Sequence, residues 1–155
     1  MGRLAAEALG ARFVDLDEEI ERRAGKPVDR IFAESGEASF RALEAELGAA
    51  CLSGPAAVLA TGGGFVSHGA SRTAARRSGL VVYLETEPVE AARRLVGAAG
   101  RPLLEGGEPA ALVASLLAAR EALYRESECT VSTTGRTAAE VSREVVSLAR
   151  TRAGW

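Results

Sequence analysis

Apolar positions recur along the chain in two rhythms, one helical and one extended. Gly2 to Leu9 reads as a short helix ended by Gly10, and Phe13-Val14-Asp15-Leu16-Asp17 reads as a strand. Helices are predicted over Glu18 to Ala24, Val28 to Glu34 and Glu37 to Leu52. In the last of these, Phe40, Leu43, Leu47 and Cys51 fall at helical spacing and mark the buried face. Ala57 to Ala60 is the next strand. Leu80-Val81-Val82-Tyr83-Leu84 is a continuous apolar run, as a parallel strand covered on both faces requires. Pro88 opens a helix at its favoured first position. A loop with Gly and Pro spans Gly97 to Pro109, followed by a long helix to about Arg125 and a strand at Cys129 to Ser132. The final helix is announced by Thr137 and Glu140, spaced as a capping box.

Strands alternating with helices predict an α/β fold, a three-layer arrangement around a parallel sheet. The chain opens on a helix, where such a fold would place a buried strand. At 155 residues it is expected to form a single domain over 1–155. A net charge of −2 argues against a mainly electrostatic nucleic-acid binder, so any positive site must be local. Lys26 is the single lysine among 19 basic residues. Cation chemistry here is therefore that of arginine, whose planar fork suits carboxylates and phosphates, although a GC-rich genome produces the same bias. Cys51 and Cys129 form neither a disulfide framework nor a zinc spacing. No apolar run approaches the roughly 20 residues of a spanning helix, and the start lacks a signal-peptide core. A cytoplasmic protein without a membrane partner is expected.

Several residues could carry chemistry. Asp15 and Asp17, two apart on a strand, would project to one side near its carboxyl end, where open α/β sheets bind ligands. The plainer reading makes Asp17 the N-cap of a helix starting at Glu18. Thr61-Gly62-Gly63-Gly64 follows a strand, and its glycines would let a ligand approach backbone amides, or would simply be a flexible connection. Arg41 and Glu44, three apart on a helix, are either a surface pair or an arginine oriented toward an anion. Arg101 precedes Pro102-Leu103-Leu104 in a loop long enough to be an active-site lid. Arg120 lies near Tyr124 on the long helix, and Arg136 lies in the turn before the last one. His68, Cys51, Cys129 and Trp155 receive no role, and Tyr124 is read as packing.

Taken in order, these stretches make the chain resemble shikimate kinase over essentially its whole length. The matching segments are Gly2-Arg3-Leu4-Ala5, Phe13 to Asp17, Ile31-Phe32, Gly36-Glu37, Phe40-Arg41 with Glu44, Gly62 to Gly64, Arg101 to Leu104, Arg120 with Leu123-Tyr124, and Arg136. The resemblance implies a P-loop kinase-like fold that transfers the ATP γ-phosphoryl group to the 3-hydroxyl of shikimate, with Mg²⁺, in aromatic amino-acid biosynthesis. It implies that Asp17 binds the substrate hydroxyls and acts as base, while Asp15 serves the metal through water. Arg41 and Arg120 would grip the shikimate carboxylate, with backbone contacts from Gly62, Gly63 and Gly64. Arg101 would stabilise the transferring phosphate and Arg136 would lie against adenine, with Arg94 or its neighbour Arg93 a weaker phosphate candidate. The helices over 18–52 would form the substrate-binding part, and 97–109 the lid. The enzyme is expected to act as a monomer.

One feature departs from that family. Its first strand and Gly-rich loop ending in Gly-Lys-Ser/Thr are absent, and nothing in the chain fits G-x-x-x-x-G-K-[ST]. The phosphates would lose their backbone cradle and lysine, so phosphoryl transfer is expected to fail in this chain as given. The sheet would also keep unpaired edges, favouring aggregation. Met1 is expected to mark a misassigned start, because it falls where the family commonly has a valine. Two other readings stay open: a non-catalytic shikimate-binding or regulatory module, and a related P-loop kinase for another small hydroxylated acid.

Overall fold

A computed structural model describes residues 1–95 and 109–155. Strands and helices alternate as anticipated. The first helix, α1 (Gly2–Leu9), ends at Gly10, whose φ of 64° lies in the left-handed region that glycine enters without a Cβ penalty. Gly2 is required for a different reason: a Cβ there would lie 2.6 Å from the Phe13 ring. This close approach lets Arg3 lie over the same ring, 4.7 Å from its centroid, and pair with Glu18 at 3.1 Å. The first turn of α1 is thereby seated on the strand that follows.

That strand, β1 (Arg12–Asp15), stops two residues before the predicted end. The Asp15 carboxylate accepts from the backbone N–H of Asp17 at 3.1 Å and of Glu18 at 3.5 Å, so helix α2 (Leu16–Ala24) begins at Leu16. Asp15 is the N-cap, and Asp17 sits in the first helical turn rather than on the strand. The expectation that both carboxylates leave one strand face is corrected accordingly, as is the alternative that Asp17 caps the helix. Burial decides the start: Leu16 and Ile20 are fully enclosed in a core with Ile31, Phe40 and Phe65.

The two helices predicted over 28–34 and 37–52 follow directly on one another as α3 (Val28–Leu52), divided at Gly36, whose φ of 76° and ψ of 168° are not helical. Strand β2 (Ala57–Ala60) pairs parallel with β1, from Arg12 against Ala57 to Asp15 against Ala60. After a 3₁₀ turn at Phe65–Ser67 comes α4 (Gly69–Ser78), capped by His68, whose Nδ1 accepts from the Ser71 N–H. The single histidine thus has a structural role that its sequence context did not reveal.

Strand β3 (Val82–Glu85) starts later than the apolar run suggested, because its ladder opens with Val82 against Cys129. The Val81 N–H is taken instead by the Glu128 carboxylate at 3.0 Å. Helix α5 (Pro88–Leu95) begins at Pro88, and α6 covers Pro109–Tyr124. Strand β4 (Cys129–Ser132) pairs parallel with β3. The predicted capping box closes α7 (Ala138–Arg152): Thr137 and Glu140 exchange both bonds. The proposed lid at 97–109, and with it Arg101, falls outside the described residues except for Pro109, the first residue of α6.

Among the described residues the strands form two two-stranded parallel sheets, β1–β2 and β3–β4, that do not pair with one another. Helices hold the halves together. On one side α1 packs against α7, β1 and β2, while α7 packs against β4. On another, α6 reaches the 3₁₀ turn that follows β2 and stacks on β3 through its last residue.

Candidate active site

The site is built at the carboxyl ends of β1 and β2, where α2 starts and the triple-glycine turn leaves the sheet. None of Gly62, Gly63 and Gly64 has positive φ, so backbone freedom is not what these positions need. They need space. A Cβ on Gly62 would lie 3.3 Å from Glu44 Oε1 and 3.4 Å from Asp17 Oδ1. A Cβ on Gly63 would lie 3.2 Å from the Tyr124 hydroxyl, and one on Gly64 would overlap the Arg41 guanidinium. The three glycines therefore seat four polar side chains, Asp17 from α2, Arg41 and Glu44 from α3 and Tyr124 from α6.

Arg41 and Glu44 are one turn apart on α3 and bonded at 2.7 Å, with Glu37 reaching the same guanidinium at 3.2 Å. Their neighbourhood makes this more than the surface pair open to the sequence. Glu44 is 2% exposed, and its Oε1 is buried with no hydrogen-bond partner among the described residues. Burial pushes the Glu44 carboxyl above its ordinary range. The Arg41 hydrogen bond opposes that shift, and the Asp17 and Arg120 charges act in opposite directions on the same group. Arg41 is thus faced by two carboxylates, Glu37 and Glu44, while Glu44 Oε1 lacks a donor among the described residues. A ligand hydroxyl beside Gly62 would be such a donor.

Arg120, half-buried on α6, is close enough for its charge to act on Glu44, so it belongs to this group. Tyr124, one turn further along the same helix, donates from its hydroxyl to the Gly63 carbonyl at 2.7 Å and stacks on Tyr83. Sequence reading assigned it to packing. The signal that could have revealed it is the four-residue spacing from Arg120, which puts both side chains on one face of α6.

A family model for shikimate kinase matches residues 1–150. The chain belongs to the shikimate kinase family. It is 41% identical over 145 residues to shikimate kinase from Moorella thermoacetica, covering 94% of this chain and 83% of that protein. To the shikimate kinase of Salinispora arenicola it is 44% identical over 149 residues, covering 96% and 88% respectively. The solved structure of Acinetobacter baumannii shikimate kinase in complex with shikimate superposes with a TM-score of 0.93 at 36% identity. That match covers 97% of this chain and 84% of the other. The mixed α/β architecture with parallel strands is thus that of the P-loop kinase-like shikimate kinases.

The remaining residues implied by the shikimate kinase resemblance lie elsewhere. Arg136 donates to the Ser132 carbonyl at 2.8 Å and pairs with Glu144 at 2.7 Å, at the start of α7. Arg94 is held by Thr133, through its hydroxyl at 3.1 Å and its carbonyl at 2.8 Å, and by Glu90. A second cleft opens at the carboxyl ends of β3 and β4, lined by Glu85, Thr86, Glu121 and Ser132 among others. Thr86 Oγ1 is buried there with no hydrogen-bond partner among the described residues. Asp15 is committed to its cap, Arg136 to its carbonyl and ion pair, and the sequence contains no Walker A loop.

Proposed function

We propose that this chain carries the acceptor half of ATP-dependent shikimate phosphorylation: it binds shikimate and presents the 3-hydroxyl, in the cytoplasm. The supporting observation is the seating of Asp17, Glu44 and Arg41 around Gly62–Gly64, with Arg120 acting on the same carboxylate. In this reading Arg41 and Arg120 hold the substrate carboxylate, with Glu44 keeping the Arg41 fork aimed. Asp17, whose carboxylate lies beside Gly62, accepts the hydroxyl proton. Backbone groups of Gly62–Gly64 complete the contact. The helices over 18–52 supply most of this surface. Asp15 would act on the metal side through water, and Arg136 would lie against adenine.

ATP and Mg²⁺ supply the phosphoryl group and its charge neutralisation in this family's chemistry. Without a Walker A loop the 155-residue chain is expected to bind shikimate but not to turn it over. A calorimetric titration with shikimate, run beside a coupled assay for ADP release, tests this. Saturable shikimate binding with no turnover is the expected result, and failure to bind shikimate overturns the reading. The same result is what a non-catalytic binding module would give, so turnover restored by adding the Walker A strand is the observation that favours the kinase.

A further inference from the structure

We propose that Tyr124 is a positioning residue for the shikimate site, acting through the Gly63 peptide; this rests on the shikimate reading above and deepens it. Three observations converge. The Tyr124 hydroxyl donates to the Gly63 carbonyl at 2.7 Å. The ring lies almost parallel to that of Tyr83, with centroids 4.9 Å apart and planes 10° apart, so the phenol cannot swing away without losing the stack. The hydroxyl also fills the space a Gly63 side chain would take. A carbonyl drawn into a hydrogen bond fixes its whole peptide plane, because that plane is rigid. All peptides here are trans, so the Gly64 N–H must point to the side opposite the Tyr124 hydroxyl.

The consequence reaches Arg120. It shares α6 with Tyr124, whereas the glycine turn belongs to the other half of the sheet. With no backbone pairing between β2 and β3, the spacing between the Arg120 guanidinium and the glycine amides is set by helix contacts. Tyr124 is one such contact, and it joins both halves at the site: its ring rests on β3 and its hydroxyl holds the turn after β2. Arg125 reinforces the β3 side by pairing with Glu85 at 3.2 Å. Tyr124 thus sets the distance over which one carboxylate can meet Arg120 and the glycine amides together.

The test uses the full chain and shikimate as ligand. Tyr124→Phe keeps the ring and its stack and removes the hydroxyl alone. Its shikimate Kd, read by calorimetry, is expected to rise roughly three- to tenfold, the range of one lost hydrogen bond. The urea midpoint should barely move. Gly63→Ala crowds the same hydroxyl and serves as the second variant. Because both changes break one contact, the double variant should bind no more weakly than the worse single one. In amide spectra the Gly64 resonance should shift in Tyr124→Phe before ligand is added, a change that general loosening would spread over the whole core. Unchanged affinity in Tyr124→Phe, or additive losses in the double variant, overturns the inference while leaving shikimate binding intact. Absence of shikimate binding in the unaltered chain overturns the functional reading instead, and this inference with it.

Discussion

Gly63 and Gly64 each answer to one polar side chain and Gly62 to two, which makes single substitutions informative. Gly64→Ala would drive a methyl group into the Arg41 guanidinium. The arginine must leave, abandoning Glu44, and shikimate affinity is expected to fall by roughly tenfold or more, the scale of one charge-assisted hydrogen bond. Calorimetry checks the affinity, and a denaturation curve separates it from unfolding. Glu44 itself should be visible in the pH dependence of stability. Burial raises its pKa above the ordinary 4.5, so folding favours its protonated form. That contribution is complete below about pH 4.5 and is lost as pH rises through the raised folded value. Glu44→Gln cannot titrate, so the unaltered chain should lose stability relative to the variant as pH climbs from 4.5. Urea midpoints across that interval measure the difference, and parallel curves would refute the assignment. The Arg41–Glu44 spacing was plain in the sequence. That Glu44 is buried was not, because a carboxylate on a helix reads as solvated until its neighbours are known.

At the scale of elements, α3 is bent and pressed into place by glycines with different duties. Gly36 adopts φ 76° and ψ 168°, a region that residues with a Cβ rarely enter, while nothing lies within 4 Å of the side-chain position. Gly36→Ala therefore tests backbone strain alone and should cost about 1–3 kcal/mol in urea denaturation. Gly48 is the opposite case. Its Cβ would lie 2.6 Å from the Phe65 ring, so Gly48→Ala tests packing between α3 and the turn after the glycines. A loss of roughly 1–3 kcal/mol is expected there, accompanied by weaker shikimate binding because Phe65 directly follows Gly64. Gly36→Ala carries no such binding loss unless the bend itself shapes the site. Comparing the two by denaturation and by shikimate titration tells strain from packing.

Taken whole, the molecule is two parallel strand pairs joined by helices rather than one hydrogen-bonded sheet. Leu84, in β3, is 36% exposed, high for an apolar residue of a strand that reads as covered on both faces. Unpaired strand edges with apolar side chains favour association between copies. Light scattering at rising protein concentration should show growing particle mass, and a monodisperse monomer throughout would count against this. Local order along the chain was legible from sequence. The capping box at Thr137, the stop at Gly10, the strands at Ala57–Ala60 and Cys129–Ser132 and the family motifs all follow from short-range rules acting on neighbouring residues. Tertiary structure alone decided the rest: that Asp15 caps while Asp17 enters the helix, that Glu44 is buried against Gly62, and that Tyr124 holds Gly63. The first turns on which neighbours the core buries, the other two on which distant side chain occupies the space beside a backbone atom, and spacing along one chain carries no record of either until the chain has folded.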